Sequence, residues 1–191
     1  MNFNDHSNLR GEHSFLSPSK YSWVNYSEEK LVDAYSKYQA SVRGTRLHAY
    51  ACESILLGQK LPKSEKSLNR FVNDAIGFRM TPEVTLFYSF NCFGTTDAIC
   101  FRDNILRIHD LKTGQSKASM VQLEIYAAQF CLEYKIDPKT IAIILRLYFK
   151  DEVIEHEPDP STIQDIMDRI VANDELIEEQ KKGGLSGKRR N

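Results

Sequence analysis

Two β-prone runs flanking Arg102-Asp103-Asn104 constrain this chain more than any other stretch. The first covers residues 93–101 and carries Asp97; the second covers residues 105–111 and runs through Asp110 to Lys112. The tripeptide between them reads as the tip of a hairpin. Antiparallel strands joined there bring Asp97 near Asp110. Asp110 and Lys112 are two residues apart, so a strand projects both side chains to one face. Two carboxylates and an ammonium then share a small volume. Converging carboxylates call for a cation, and hard oxygen ligands suit Mg²⁺ or Mn²⁺.

The stretch continues with Thr113 and Gly114, and a following helix presents Gln122 and Tyr126 four residues apart on one face. Gly94-x-x-Asp97, Asp110-x-Lys112-Thr113-Gly114 and Gln122-x-x-x-Tyr126, in that order, resemble the PD-(D/E)XK nuclease superfamily, in particular its RecB-like exonuclease branch, to which phage exonucleases are similar. An isolated Asp-x-Lys occurs by chance in many proteins; the ordered set is far more specific. The resemblance spans residues 15–150 and includes Gly44-x-x-x-His48 at a core helix and a short Leu16-Ser17-Pro18-Ser19 segment. It implies an α/β (α+β) restriction-endonuclease-like core, with a central mixed β-sheet flanked by helices.

For the site, the resemblance implies that His48, Asp97, Asp110 and the backbone carbonyl of Leu111 hold one divalent ion. Glu83, at the start of the preceding strand, is a further candidate ligand, with a plain charged residue at a strand end as the alternative. Lys112 would orient or help deprotonate the attacking water. Gln122 and Tyr126 would lie beside the site, holding the phosphate or the lysine; for Tyr126 a helix–sheet packing role stays open. Lys117 and Arg146 are candidate phosphate contacts. Residue by residue, His48 taken alone would more often be a histidine satisfied at a helix–sheet interface.

The implied activity is divalent-metal-dependent hydrolysis of phosphodiester bonds in DNA, most readily as an exonuclease of recombination, repair or phage DNA metabolism. Two alternatives stay open: an endonuclease for structured or foreign DNA, and a nuclease fold serving as a DNA-binding or assembly module. Intact Asp97, Asp110 and Lys112 argue against the last. A Gly-x-x-x-x-Gly-Lys-Ser/Thr loop is absent from the sequence, so no ATPase portion is expected. The chain would act alone, as a homo-oligomer, or beside a recombinase, single-strand-binding or helicase partner. No aromatic array stands out from the core aromatics as a reader of single strands.

Composition is permissive. A formal net charge of -1 neither favours nor opposes a DNA partner, although residues 151–179 are acidic and Lys188-Arg189-Arg190 is basic. Cys52, Cys92, Cys100 and Cys131 form no Cys-x-x-Cys pair and lack the late cysteines of an iron–sulfur member of the branch, so reduced thiols and no cluster are expected. No signal peptide and no run of about 20 apolar residues is visible; the expected compartment is the cytoplasm of a bacterium or a phage-infected bacterial cell.

The expected organisation is a flexible tail over residues 1–14, one domain over 15–182 and a flexible basic tail over 183–191. Ser17 before Pro18 should start a helix. Helices are expected over 28–40, 45–57 (opening after Gly44 and stopping at Gly58), 67–77, 117–134 and 161–181, the last capped by Ser161. Strands are expected over 83–91, 93–101, 105–111 and 140–149, the last as the buried central strand.

Overall fold

The computed structural model describes residues 5, 7, 14–114 and 119–186. Most of the N-terminal tail, the end of the basic tail and Lys117 lie outside the described residues. The chain forms two compact units, Met1–Thr45 and Arg46–Asn191.

In the first unit Ser17-Pro18 opens two short 3-10 turns over Pro18–Asn25, broken at Lys20, rather than an α-helix. The Ser17 hydroxyl is engaged with Ser19 Oγ at 2.8 Å and caps no helix amide. The rings of Phe15, Tyr35 and Tyr38 pack together, Phe15 lying 5.1 and 5.4 Å from the two tyrosines.

Helix α1 (Glu28–Leu56) is continuous, where the sequence suggested a break at Gly44. A mid-helix glycine costs only about 1 kcal/mol relative to alanine, and no proline follows to block the next turn. Gly58 does stop it: with φ +64° it lets Gly58 N–H reach Ile55 O and Gln59 N–H reach Ser54 O, at 3.1 and 2.9 Å.

The second unit continues with α2 (Ser67–Gly77), β1 (Thr81–Ser89), β2 (Cys92–Arg102), β3 (Ile105–Lys112), α3 (Val121–Tyr134), β4 (Ala142–Phe149), β5 (Glu152–His156) and α4 (Pro160–Ser186). The five strands form one sheet in the order β1-β2-β3-β4-β5. Only the β3–β4 pair is parallel, with α3 as its crossover. The expected α+β architecture with a mixed sheet flanked by helices is therefore present.

The central strand is β3, not the residue 140–149 run, whose first residue, Thr140, instead ends a 3-10 turn, Pro138–Thr140. Strand β5 had no sequence signal. Its hairpin turns on Lys150 and Asp151, at φ +49° and +63°, without the glycine or asparagine that normally marks such a turn. Asp159, not Ser161, caps α4: its Oδ1 accepts from Ser161 N–H at 2.8 Å, and Pro160 takes the first helical position. The same helix runs on through Gly183-Gly184 to Ser186, since an established helix loses only about 1 kcal/mol per glycine.

Side-chain alternation gives the sheet two covered faces. Leu106, Ile108, Leu145 and Leu147 pack with Leu123, Ala127 and Cys131 of α3 and Ile163 of α4. On the other face Ala98, Leu111 and Tyr148 meet Phe71, Val72 and Ala75 of α2 and Ala51 and Ile55 from the end of α1. Each such aliphatic side chain contributes about 1.5–3 kcal/mol when fully buried.

The β2–β3 hairpin closes as read from sequence. Arg102 pairs with Ile105, and Asp103 and Asn104 sit at φ +52° and +58°. That two-residue turn has the twist of the strands it joins. Asn104→Gly should preserve or raise stability, whereas Asn104→Val should lower it by about 1–2 kcal/mol, seen as a lower denaturation midpoint at unchanged slope.

Candidate metal centre

Asp97 ends the β2–β3 ladder. The last main-chain pair is Ala98 with His109; at the next position Asp97 Oδ2 accepts from the Leu111 amide at 2.7 Å. A side chain thus replaces a main-chain acceptor, and a concave edge opens between the strands. A residue's N–H and C=O point to the same side of a strand, so the Leu111 carbonyl faces this edge as well.

Glu83 lies opposite Asp97, between the pairs Pro82–Ala98 and Val84–Thr96. Its φ is +52°, a conformation that costs a non-glycine residue about 1–3 kcal/mol and tends to mark functional sites. His48, from α1, places Nδ1 3.2 Å from Asp97 Oδ1. One ligand atom from each of His48, Glu83 and Asp97 falls within 4.8 Å of the others. Glu83 therefore joins the candidate ligands by position, and Asp110 is not one of the three that converge most closely.

Asp110 lies deeper, 4% exposed. Lys112 Nζ donates to its Oδ1 at 3.2 Å and stands 3.0 Å from Oδ2. Oδ2 is buried and has no aligned donor. Burial first, then the Asp97 charge, push the Asp110 carboxyl above the usual aspartate range, while Lys112 and His48 pull it back. Burial and the Asp97 charge also raise Glu83. The hydrogen bond to Asp97 raises His48, outweighing burial, which lowers it.

A chain of hydrogen bonds then ties strand β3 to α3 and back to β2. Lys112 Nζ donates to Gln122 Oε1 at 2.7 Å, Gln122 Nε2 to Tyr126 Oη at 3.3 Å, and Tyr126 Oη to the Thr95 carbonyl at 2.7 Å. Gln122 and Tyr126 share a face as their spacing requires. The Thr95 carbonyl carried no sequence signal, because any residue supplies one. Gly94 is explained here: a Cβ at that position would stand 2.9 Å from Tyr126 Cε1.

The donor set fits a divalent ion. It offers carboxylate oxygens and one imidazole, a combination suited to Mn²⁺ and Mg²⁺. The unaligned, buried Asp110 Oδ2 and the crowded, proton-retaining carboxylates are the electrostatics that a cation at His48, Glu83 and Asp97 would relieve.

Arg146 is bound elsewhere, to Glu155 at 2.5 Å and Asp74 at 3.2 Å. It belongs to a partly buried network on the other face of the sheet that sequence reasoning did not find. Tyr148 Oη donates to Asp74 at 2.7 Å and lies 3.2 Å from His109 Nδ1, an arrangement requiring the proton of His109 on Nδ1. Burial, reinforced by Arg146 and Arg107, pushes His109 down to about 3 and keeps it neutral.

No family model matches the chain, and no curated protein matches it. A solved structure described as "Crystal structure of SSO0001" is similar at 17% identity, over 81% of this chain and 69% of that one, with a TM-score of 0.37. Likeness at that level carries no argument for fold or function. Among the described residues, no helix is long and apolar enough to cross a membrane.

Two outcomes follow from this geometry. Gly94→Ala should cost about 1–3 kcal/mol by overpacking against Tyr126, and Tyr126→Leu in the same chain should recover part of that loss in a double-mutant cycle. In chelator, NMR titration should place His48 above 6.5, and Asp97→Asn should bring it down. Because the folded value is the higher one, the pair's contribution to stability is complete below the unfolded value. It is lost as pH rises through the folded value.

Proposed function

We propose that this chain is a divalent-metal-dependent nuclease that hydrolyses phosphodiester bonds in DNA, attacking strand ends as expected from the RecB-like motif order. The supporting observation is the Lys112 ammonium, held between a buried carboxylate and Gln122 Oε1 beside a convergent His48, Glu83 and Asp97.

His48, Glu83, Asp97 and the Leu111 carbonyl would hold the ion, with Asp110 as the deeper anionic support. Bound there, Mg²⁺ or Mn²⁺ supplies an acidified water and a polarised phosphate. The protein's own part begins with Lys112. An ammonium has three donors; two are taken by Asp110 and Gln122, and the third, without an acceptor among the described residues, can aim at water or a phosphoryl oxygen. Held beside Asp110, Lys112 orients the nucleophile and offsets charge that grows on the phosphate. Gln122 and Tyr126 fix the direction of its third N–H through hydrogen bonds anchored on Thr95.

Digestion of an end-labelled linear duplex and a covalently closed circle, in Mg²⁺, Mn²⁺ or EDTA, tests the reading. Loss of the linear DNA alone supports end-dependent attack; loss of the circle as well means an endonuclease. Lys112→Ala should lower cutting by at least about a hundredfold, a typical loss for one charge-stabilising group, and spare DNA binding. Asp97→Ala should remove both cutting and divalent-ion binding. Full activity in both variants would reject the site.

A further inference from the structure

Strands β1 and β2 carry two outward cross-strand pairs, Thr85 with Thr95 and Phe87 with Phe93, and beyond the Val84–Thr96 pair Glu83 lies opposite Asp97. All but Asp97 are exposed, and their inward neighbours Pro82, Leu86, Thr96 and Ala98 are buried. The row thus begins at the candidate metal ligands and ends on aromatic rings. Phe87 and Phe93 lie 6.4 Å apart, stacked at 30°, and Phe90 closes against Phe87 at 5.5 Å.

The exposure of these rings has no folding explanation. Phe87 is 42%, Phe93 59% and Phe90 88% exposed, although apolar side chains clustered in water usually mark a contact surface. The tip that presents them is pinned. Asn91 Nδ2 donates to Asp174 and Glu178 of α4, at 2.8 and 2.7 Å, and Lys181 Nζ donates to Asn91 Oδ1 at 2.6 Å. Ser89 Oγ also donates to Asp174. Between the rings and the carboxylates, Thr85 Oγ1 and Thr95 Oγ1 stand 2.9 Å apart. One hydroxyl hydrogen is shared in that contact, and the other is left to donate outward.

We propose that this row is a track for a single DNA strand, with Phe87, Phe90 and Phe93 stacking a base and the threonine pair binding a phosphate oxygen between that base and the metal centre. The proposal rests on the hydrolytic reading above and names its substrate as an unpaired strand. The spacing supports it. Four residues of strand separate Phe93 from Asp97, about 13 Å, the reach of a short run of extended nucleotides. Aromatic faces accept any base, which suits a strand-tolerant enzyme. A protein partner would be served by the rings alone; the outward hydroxyl, together with the cation that Glu83 and Asp97 would hold, favours a ligand with alternating apolar and anionic groups.

The test is fluorescence anisotropy with a labelled oligothymidylate and a labelled hairpin duplex, in EDTA, for the wild type, Phe93→Leu and Phe93→Tyr. Matching thermal melts check folding, which a side chain this exposed should not govern. Phe93→Leu, which keeps apolar bulk and loses the π-face, should weaken single-strand binding by roughly tenfold, while Phe93→Tyr keeps wild-type affinity. Equal binding by wild type and Phe93→Leu overturns the track. So does a self-association lost in Phe93→Leu while oligothymidylate affinity is unchanged. If duplex is cut in Mg²⁺ but the Phe93 variants bind single strands like wild type, the track falls and the hydrolytic reading stands. If wild type cuts no DNA in Mg²⁺ and Phe93-dependent single-strand binding persists, the hydrolytic reading falls and the stacking surface stands.

Discussion

A nearly buried carboxylate on the central strand needs a balancing charge, and the arrangement of the site follows from that need. Asp110 loses its hydration to the sheet and to α3, and the Lys112 ammonium two residues on is the group that faces it. An isolated buried anion would cost several kcal/mol or would take up a proton. Lys112 is therefore confined, and Gln122 confines it further. Because Gln122 is in turn bonded to Tyr126, and Tyr126 to the Thr95 carbonyl, one charge requirement on β3 fixes the docking of α3 and the approach of β2. Gly94 is part of the same constraint, since any side chain there would displace the Tyr126 ring.

The second constraint is conformational. Glu83 holds a left-handed backbone within a strand, directly across from Asp97. Such a residue persists only where its surroundings over-determine it. Here Pro82 and Val84 are both locked into pairs with β2, and Glu83 between them meets the imidazole of His48. The strain and the crowding of negative charge occur at the same few atoms. That coincidence ties the local backbone to a cation-binding chemistry more firmly than either feature would separately.

Much of the candidate site was legible because its residues are close in sequence as well as in space. Asp97, Asp110 and Lys112 belong to one hairpin whose turn fixes its register, and period-two alternation decides which side chains share a face. Gln122 and Tyr126 follow from helical spacing. The misses have physical causes. Gly44 looked like a boundary, yet its helix penalty is smaller than the gain of continuing α1. Strand β5 turns on Lys150-Asp151, where only Asp151 readily adopts positive φ, so pairing with β4 outweighs the cost at Lys150. Ser161 and Asp159 are both good caps, and only the position of Pro160 selects the aspartate.

The sequence by itself determined the β2–β3 hairpin, the order of β1 to β4 with α2, α3 and α4, the alternating faces of the sheet and the identity of most charged groups at the site. These depend on local periodicity and on separations of a few residues, which covalent geometry converts directly into direction. Tertiary structure alone decided that Glu83 joins His48 and Asp97, that Asp110 lies beneath them rather than among them, that Arg146 is committed to Asp74 and Glu155, and that three phenylalanines stay in water in line with the carboxylates. Those outcomes depend on how α1 and the β1–β2 hairpin approach each other across about 35 residues of chain. No local rule encodes that distance; it is set by which apolar surfaces bury best and which charges can then be balanced.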